Sequence, residues 1–179
     1  MAYTNAHIHE IANNLLRQVT QDSFYIDINL IADFLNIETY DEDLEDEMSG
    51  FLVVKNKIPS IAINKRHHIN RRRFTLAHEI GHFCLHVDEN EDESVFMDKK
   101  VFHRNKDASK GVIRMEIEAN KFAADLLMPR FLIEKAVSEK YEDIDLEDEN
   151  EIESMASDFG VSTTALAYRL GSLGFISKL

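Results

Sequence analysis

Two histidines and a glutamate stand in the order His78-Glu79-x-x-His82 within the segment FTLAHEIGHFCLH. On a helix, residues i and i+4 share a face, so two imidazoles can address one cation while Glu79, one position on, reaches a water beside it. The chemistry this allows is metal-assisted hydrolysis, with the carboxylate as general base. A helix is expected here independently of the motif. At about 100° per residue, Thr75, His78, Glu79, His82 and His86 fall within one wedge of roughly 100°, while Leu76, Ala77, Ile80, Phe83, Cys84 and Val87 surround the rest. Beyond its Arg-rich start the helix has no charged solvent face. It should be mostly buried, and the wedge must then find partners, because burying an unpaired polar group costs roughly 2–7 kcal/mol.

Catalytic zinc keeps three protein ligands and one open position. His86 lies two turns from His78, a rise of roughly 12 Å, so it cannot share a site whose bonds are about 2 Å long; a role in orienting His82 or a water suits it better. Cys84 is about 160° from His82 around the helix and reads as a small core residue. Gly81 costs about 1 kcal/mol relative to alanine in a helix interior, which calls for close approach of another backbone. The third ligand is sought in GVIRMEIEANKFAADLLMP. There, Arg114, Glu118, Lys121 and Asp125 cluster as a solvated face with i,i+4 ion pairing, whereas Glu116 sits opposite, among Val112, Ala119, Ala123, Leu126 and Leu127. A carboxylate centred on an apolar face is expensive unless paired or metal-bound, so Glu116 is the expected ligand, the alternative being an ion pair with an arginine of the RRR run. Asn120, one turn on and expected to face inward, is placed to hydrogen-bond a ligand. Zn2+ is the expected ion, and ligand type leaves Mn2+ and Fe2+ open. An oxyanion donor is also needed; His103, His67, His68, Tyr168 and Arg71 to Arg73 all remain candidates.

The elements that must position these groups are legible in outline. Residues 6–18 carry a helical stripe of Ile8, Ile11, Ala12, Leu15 and Leu16. A second helix follows Asp27, an expected N-cap, and its pattern breaks at the acidic segment from Asp41 to Glu47. GFLVV at 50–54 and SIAIN at 60–64 form a hairpin-like pair, with Pro59 at a strand start. Long helices are predicted over roughly 72–87 and 112–128, the latter stopped by Pro129, which opens another at RFLIEKAV. Asp88 to Gly111 reads as a surface loop in which VFMDKKVF can hold a short strand. An acidic stretch at 138–151 marks a soft boundary between residues 1–137 and 138–179.

Thirty-three acidic and 20 basic residues give a formal charge of -13, a field that repels nucleic acid and favours basic or neutral partners. No run approaches membrane-spanning length, and the first residues lack the continuous apolar stretch of a signal peptide. The single cysteine forbids an intramolecular disulfide. A soluble, cytoplasmic protein without membrane contact is expected.

RRFTLAHEIGHFCLH followed by EIEANKFAADLLMP resembles the ImmA/IrrE family of metallo-endopeptidases, and the likeness extends to IDINLIADFLNI, MSGFLVV, IAIN and FGVSTTALAYRLGSLGFI. The resemblance implies an α+β fold: a zincin-like core with a small β-sheet beside the active helix, followed by a helix-turn-helix-like part. It implies His78, His82 and Glu116 as metal ligands and Glu79 as catalytic base. Family members often sit beside helix-turn-helix repressors of mobile elements or stress responses, and some inactivate them by cleavage. A helix-turn-helix repressor is therefore the expected protein substrate.

From about Asn150, IESMASDFGVSTTALAYRLGSLGF predicts two helices joined at Phe159-Gly160-Val161, with Ser162 capping the second. A DNA reader would carry several cations there, but TTALAYRL supplies only Arg169, so direct DNA binding is not expected. Two rival functions stand beside site-specific endopeptidase. One is a metal-binding regulator that inactivates a repressor by docking without cleavage. The other is an acidic DNA-binding regulator with a structural zinc, which the open coordination position and intact base disfavour.

Overall fold

The computed structural model describes residues 2–19, 23–88, 93–97, 106–141 and 149–176. Among these residues, seven helices and one four-stranded sheet make an α+β fold. Helix α1 (Asn5–Gln18) starts at Thr4, whose hydroxyl accepts from the His7 N–H, and buries Ile8, Ala12 and Leu16. Helix α2 (Ile28–Phe34) starts at the expected Asp27, which accepts from the Asn29 N–H.

The sheet runs β1 (Glu38–Glu42), β3 (Ile58–Asn64), β2 (Gly50–Lys55), β4 (Glu93–Met97) in spatial order. The hairpin β2–β3 turns tightly at Asn56 and Lys57, both at positive φ, the conformation a two-residue turn needs to match strand twist. Pro59 is the second residue of β3, just before the first β1–β3 pair at Glu38↔Ser60. One strand departs from expectation: the helical pattern breaks at the acidic segment, yet ETYDE forms β1, parallel to β3 with every residue exposed. An edge strand needs backbone pairing on one side only, and its charges discourage further pairing. Between Asp88 and Gly111 the short strand allowed at VFMDKKVF is present as β4, starting two residues earlier and antiparallel to β2, and the next helix, α4 (Lys106–Leu127), begins six residues before the predicted start.

Helix α3 (Ile69–His86) lies on the inner face of the sheet, where Leu52, Val54, Ile61 and Ile63 are buried with Leu76, Ala77 and Ile80. Its start carries Arg71, Arg72 and Arg73, an unfavourable placement beside a helix N-terminus. Each finds an outside acceptor: Ser49 Oγ at 2.8 Å, Asp41 at 2.6 and 2.7 Å, and the carbonyls of Gly160 and Ile26 at 2.9 and 2.8 Å. None of the three reaches Glu116 in an ion pair; its partners are histidines.

Helix α4 packs on both α3 and α1. This overturns the solvated face assigned to Glu118 and Asp125. The predicted pairs Arg114–Glu118 and Lys121–Asp125 are present, at 3.5 and 3.2 Å, but Glu118 is only 5% exposed and Asp125 2%. Asp125 also pairs with Arg169 Nη2 at 2.7 Å. A single helical projection cannot show that α1 and the C-terminal helices cover the second side. Helices α5 (Arg130–Glu139), α6 (Glu149–Phe159) and α7 (Thr163–Leu173) complete the fold, with Ser162 capping α7 as expected. Phe159, Val161, Leu166 and Leu170 join the same core as Ile80 and Phe122. Among the described residues, no helix is long and apolar enough to cross a membrane.

Gly81 meets the α4 backbone: a Cβ there would lie 3.2 Å from Ala119 Cα and carbonyl O, and 3.1 Å from Phe122 Cδ1. Backbone cannot swing aside as a side chain can. Gly81→Ala should therefore lower unfolding free energy by about 1–3 kcal/mol despite alanine's better helix propensity, as urea denaturation would measure. Equal or greater stability would show that α3 and α4 can separate without cost.

Candidate metal centre

His78, Glu79 and His82 lie in the middle of α3 and are buried. The i,i+4 spacing puts the two imidazoles side by side, ring centroids 4.7 Å apart, with Nε2 atoms 3.0 Å from each other. Helix α4 brings the carboxylate. Glu116 Oε2 is 3.2 Å from His78 Nε2, and Oε1 is 3.2 Å from His82 Nε2. One ligand atom from each residue can be chosen with all three within 4.8 Å of one another. Gly81 makes this possible, since it lets α4 approach closely enough for Glu116 to reach across.

The donor set fits a divalent cation. Tetrahedral bonds of about 2.0–2.1 Å hold neighbouring ligand atoms about 3.3–3.4 Å apart, close to the spacings found here. Two imidazoles and one carboxylate are also the set that leaves a fourth position open. Burial by itself would raise the Glu116 carboxyl, but the hydrogen bonds and charge interactions with His78 and His82 outweigh it and hold it down at about 2. Glu116 is thus an anion over the ordinary pH range.

The residues around the cluster were only partly foreseen. Asn120 is solvent-exposed rather than inward-facing, yet its Oδ1 lies 3.1 Å from His78 Nδ1 and accepts that proton. His86 Nδ1 stands 3.1 Å from His82 Nδ1, and its other nitrogen is 3.0 Å from Glu118 Oε2. Burial lowers the His86 pKa, against the opposing pull of Glu118. Phe96 of β4 stacks on His82 with ring centroids 5.2 Å apart, placing that strand beside the site. Phe96 lay inside VFMDKKVF, but its contact with His82 had no signal in the sequence. Glu79 is wholly buried, at 0% exposure. Cys84 is half-buried away from the cluster, and burial pushes its thiol up to about 12, so the expected core role suits it.

The oxyanion candidates separate. Arg71 to Arg73 are engaged at the other end of α3. His68 caps that helix, and His67 faces the Asp46 carbonyl at 3.3 Å. Tyr168 is on α7, lining a cavity with His9 and Asp125 that contains none of the three clustered residues. His103 lies outside the described residues.

Fold and site together define an α+β protein whose two longest helices converge on a three-donor cluster able to hold a divalent cation. The Peptidase_M78 family profile, described as an IrrE N-terminal-like domain, matches residues 32–171, and the chain belongs to that family. It is 30% identical over 103 residues to "Uncharacterized immunity region protein 2" of Bacillus phage phi105, a match covering 58% of this chain and 59% of the phage protein. A solved structure, a Mycobacterium tuberculosis transcriptional regulator, is similar in fold, with a TM-score of 0.58 at 19% identity over 92% of this chain and 46% of that one. The chain therefore spans less than half of the regulator, and the phage match covers about three-fifths of that protein.

Proposed function

We propose that the chain is a zinc-dependent endopeptidase that cleaves a helix-turn-helix repressor at a limited number of sites. The observation that carries this reading is the convergence of His78, His82 and Glu116 on one point, with Glu79 buried on the same helix. A zinc ion held by those three residues supplies Lewis-acid polarisation of a peptide carbonyl and acidifies a water. Glu79 takes the proton of the attacking water and delivers it to the leaving amine. Its burial keeps that carboxylate out of bulk solvent. Asn120 holds His78 by its Nδ1 proton, and Phe96 packs its ring on that of His82 from the β4 side. Among the described residues strand β4 stands at the sheet's edge, which offers its outer backbone to an extended substrate segment.

The choice of substrate has separate support. The phage relative is named an immunity region protein, a regulatory context that suits a repressor as substrate. A charge of -13 suits a basic, DNA-binding partner. In this reading residues 1–137 are a zincin-like catalytic unit, and 138–179 a helix-turn-helix-like unit that packs or recognises protein, within a cytoplasmic protein. Burial of Arg169, the cation of α7, in its pair with Asp125 supports a role other than phosphate contact. The test is to incubate the zinc-loaded chain with the repressor encoded beside it and map new termini by mass spectrometry. A few discrete cuts are expected, with little degradation of unfolded casein. Disappearance of repressor activity without new termini would replace cleavage with docking.

A further inference from the structure

The C-terminal half of α4 bears charges that the metal centre does not use. Asp125 is 2% exposed and Arg169 of α7 6%. Arg169 Nη2 lies 2.7 Å from Asp125 Oδ1, and Lys121 Nζ lies 3.2 Å from Oδ2. Two cations share one carboxylate, so about one positive charge is left over. Asp125 stands beyond Glu116 on the same helix by a rise of about 14 Å, which keeps this surplus well away from the clustered donors.

A groove of about 720 Å³ opens beside the group, between α1, α4 and α7. Small-molecule sites have volumes of about 300–1,000 Å³. Three alanines leave the space: Ala6 on α1, Ala124 on α4 and Ala165 on α7. Phe74 and Leu173 add apolar wall, and with Ala124 and Ala165 they are only partly covered by the core they pack on. The charges of the lining run against those of the chain. Among its described residues Lys121, Arg130 and Arg169 accompany a single acid, Asp125, in a protein where acids outnumber bases 33 to 20. We propose that the groove binds a small amphipathic monoanion, an organic carboxylate whose apolar body covers the alanines and whose head is drawn to Lys121.

Each part of that chemistry has its own reason. The Lys121 ammonium has three N–H donors, of which the bond to Asp125 uses one, and its side chain is 28% exposed. Arg169 is buried and gives its Nε proton to the Met128 carbonyl at 2.9 Å, so it contributes charge rather than contact. Arg130, exposed at the rim, is held by Glu134 at 2.7 Å. A cationic ligand meets the surplus charge, and a dianion brings more charge than one surplus cation neutralises. A neutral ligand forgoes the charge-assisted hydrogen bond that the ammonium offers.

Octanoate is the probe. Titrated into the full 15N-labelled chain, it should shift the amide signals of the lining residues on α1, α4 and α7 saturably, with a Kd of about 1 mM or tighter. Octanol has the same body without the charge, and octyltrimethylammonium has the opposite charge; both should bind at least about tenfold more weakly. Lys121→Met keeps the stem and removes the charge. Its affinity for octanoate should fall about tenfold while its affinity for octanol stays the same. Should that variant fail to fold, Ala165→Leu fills the groove from α7 and should abolish the octanoate shifts with every charge in place. Absence of saturable shifts at the groove, equal affinity for octanol, or binding unaltered by the variant would each overturn the proposal; equal affinity for octanol would mark the groove as a plain apolar face. The readout involves neither a metal nor a peptide bond, so it stands apart from the peptidase reading and survives its failure.

Discussion

Glu79→Gln is expected to lower the rate of peptide hydrolysis by at least about a hundredfold while zinc content and repressor binding stay unchanged. The substitution keeps the size and shape of a fully buried side chain and removes only its capacity to take a proton. General-base assistance contributes typically 10²–10⁴-fold, so the loss should lie within that range or above it if the same group also protonates the leaving amine. The three clustered donors are other residues, so elemental analysis should find the same zinc in both proteins. Single-turnover cleavage, followed by mass spectrometry beside a binding titration, separates the two effects. Full-rate inactivation of the repressor by the variant would show that catalysis by Glu79 has no part in the function.

His82→Ala is expected to reduce zinc from about one ion per chain to near none after dialysis. Its Nε2 lies within 3.2 Å of both other donors, so its removal leaves two ligands where catalytic zinc needs three. Stability carries the same information. A ligand that binds only the folded state stabilises it by about 2.7 kcal/mol at a free concentration one hundred times its Kd. Chelation should therefore lower the melting temperature of the wild type and leave that of His82→Ala unmoved. Glu116→Ala should behave likewise. Undiminished zinc in these variants would place the ion elsewhere.

The parts of the fold that were legible were those whose pattern belongs to one element. The Asp27 and Ser162 caps, the stripe of α1 and the β2–β3 hairpin are local, and they stand where expected. The convergence of His78, His82 and Glu116 was legible because a polar wedge on one buried helix and a carboxylate on an apolar face of another have few ways to satisfy each other. What one element cannot reveal is how many neighbours it has. Glu118 and Asp125 had charged i,i+4 partners, the ordinary mark of a surface, and were buried by the packing of α1 and α7 on a side that the projection treats as open. Strand β1 was hidden for the converse reason, since its five exposed residues contribute backbone pairing without an apolar face. Tyr3 meets the buried Glu118 through its main-chain N–H, which residue type does not encode.

The placement of Cys84 has a spectroscopic consequence. It is the chain's sole cysteine, its thiol stays protonated, and it stands apart from the cluster. A cobalt-substituted protein should therefore show only the visible bands of a nitrogen- and oxygen-ligated ion, without the intense near-ultraviolet sulfur-to-metal transition. Its spectrum can report directly on the imidazoles and the carboxylate, with no thiolate background beneath it.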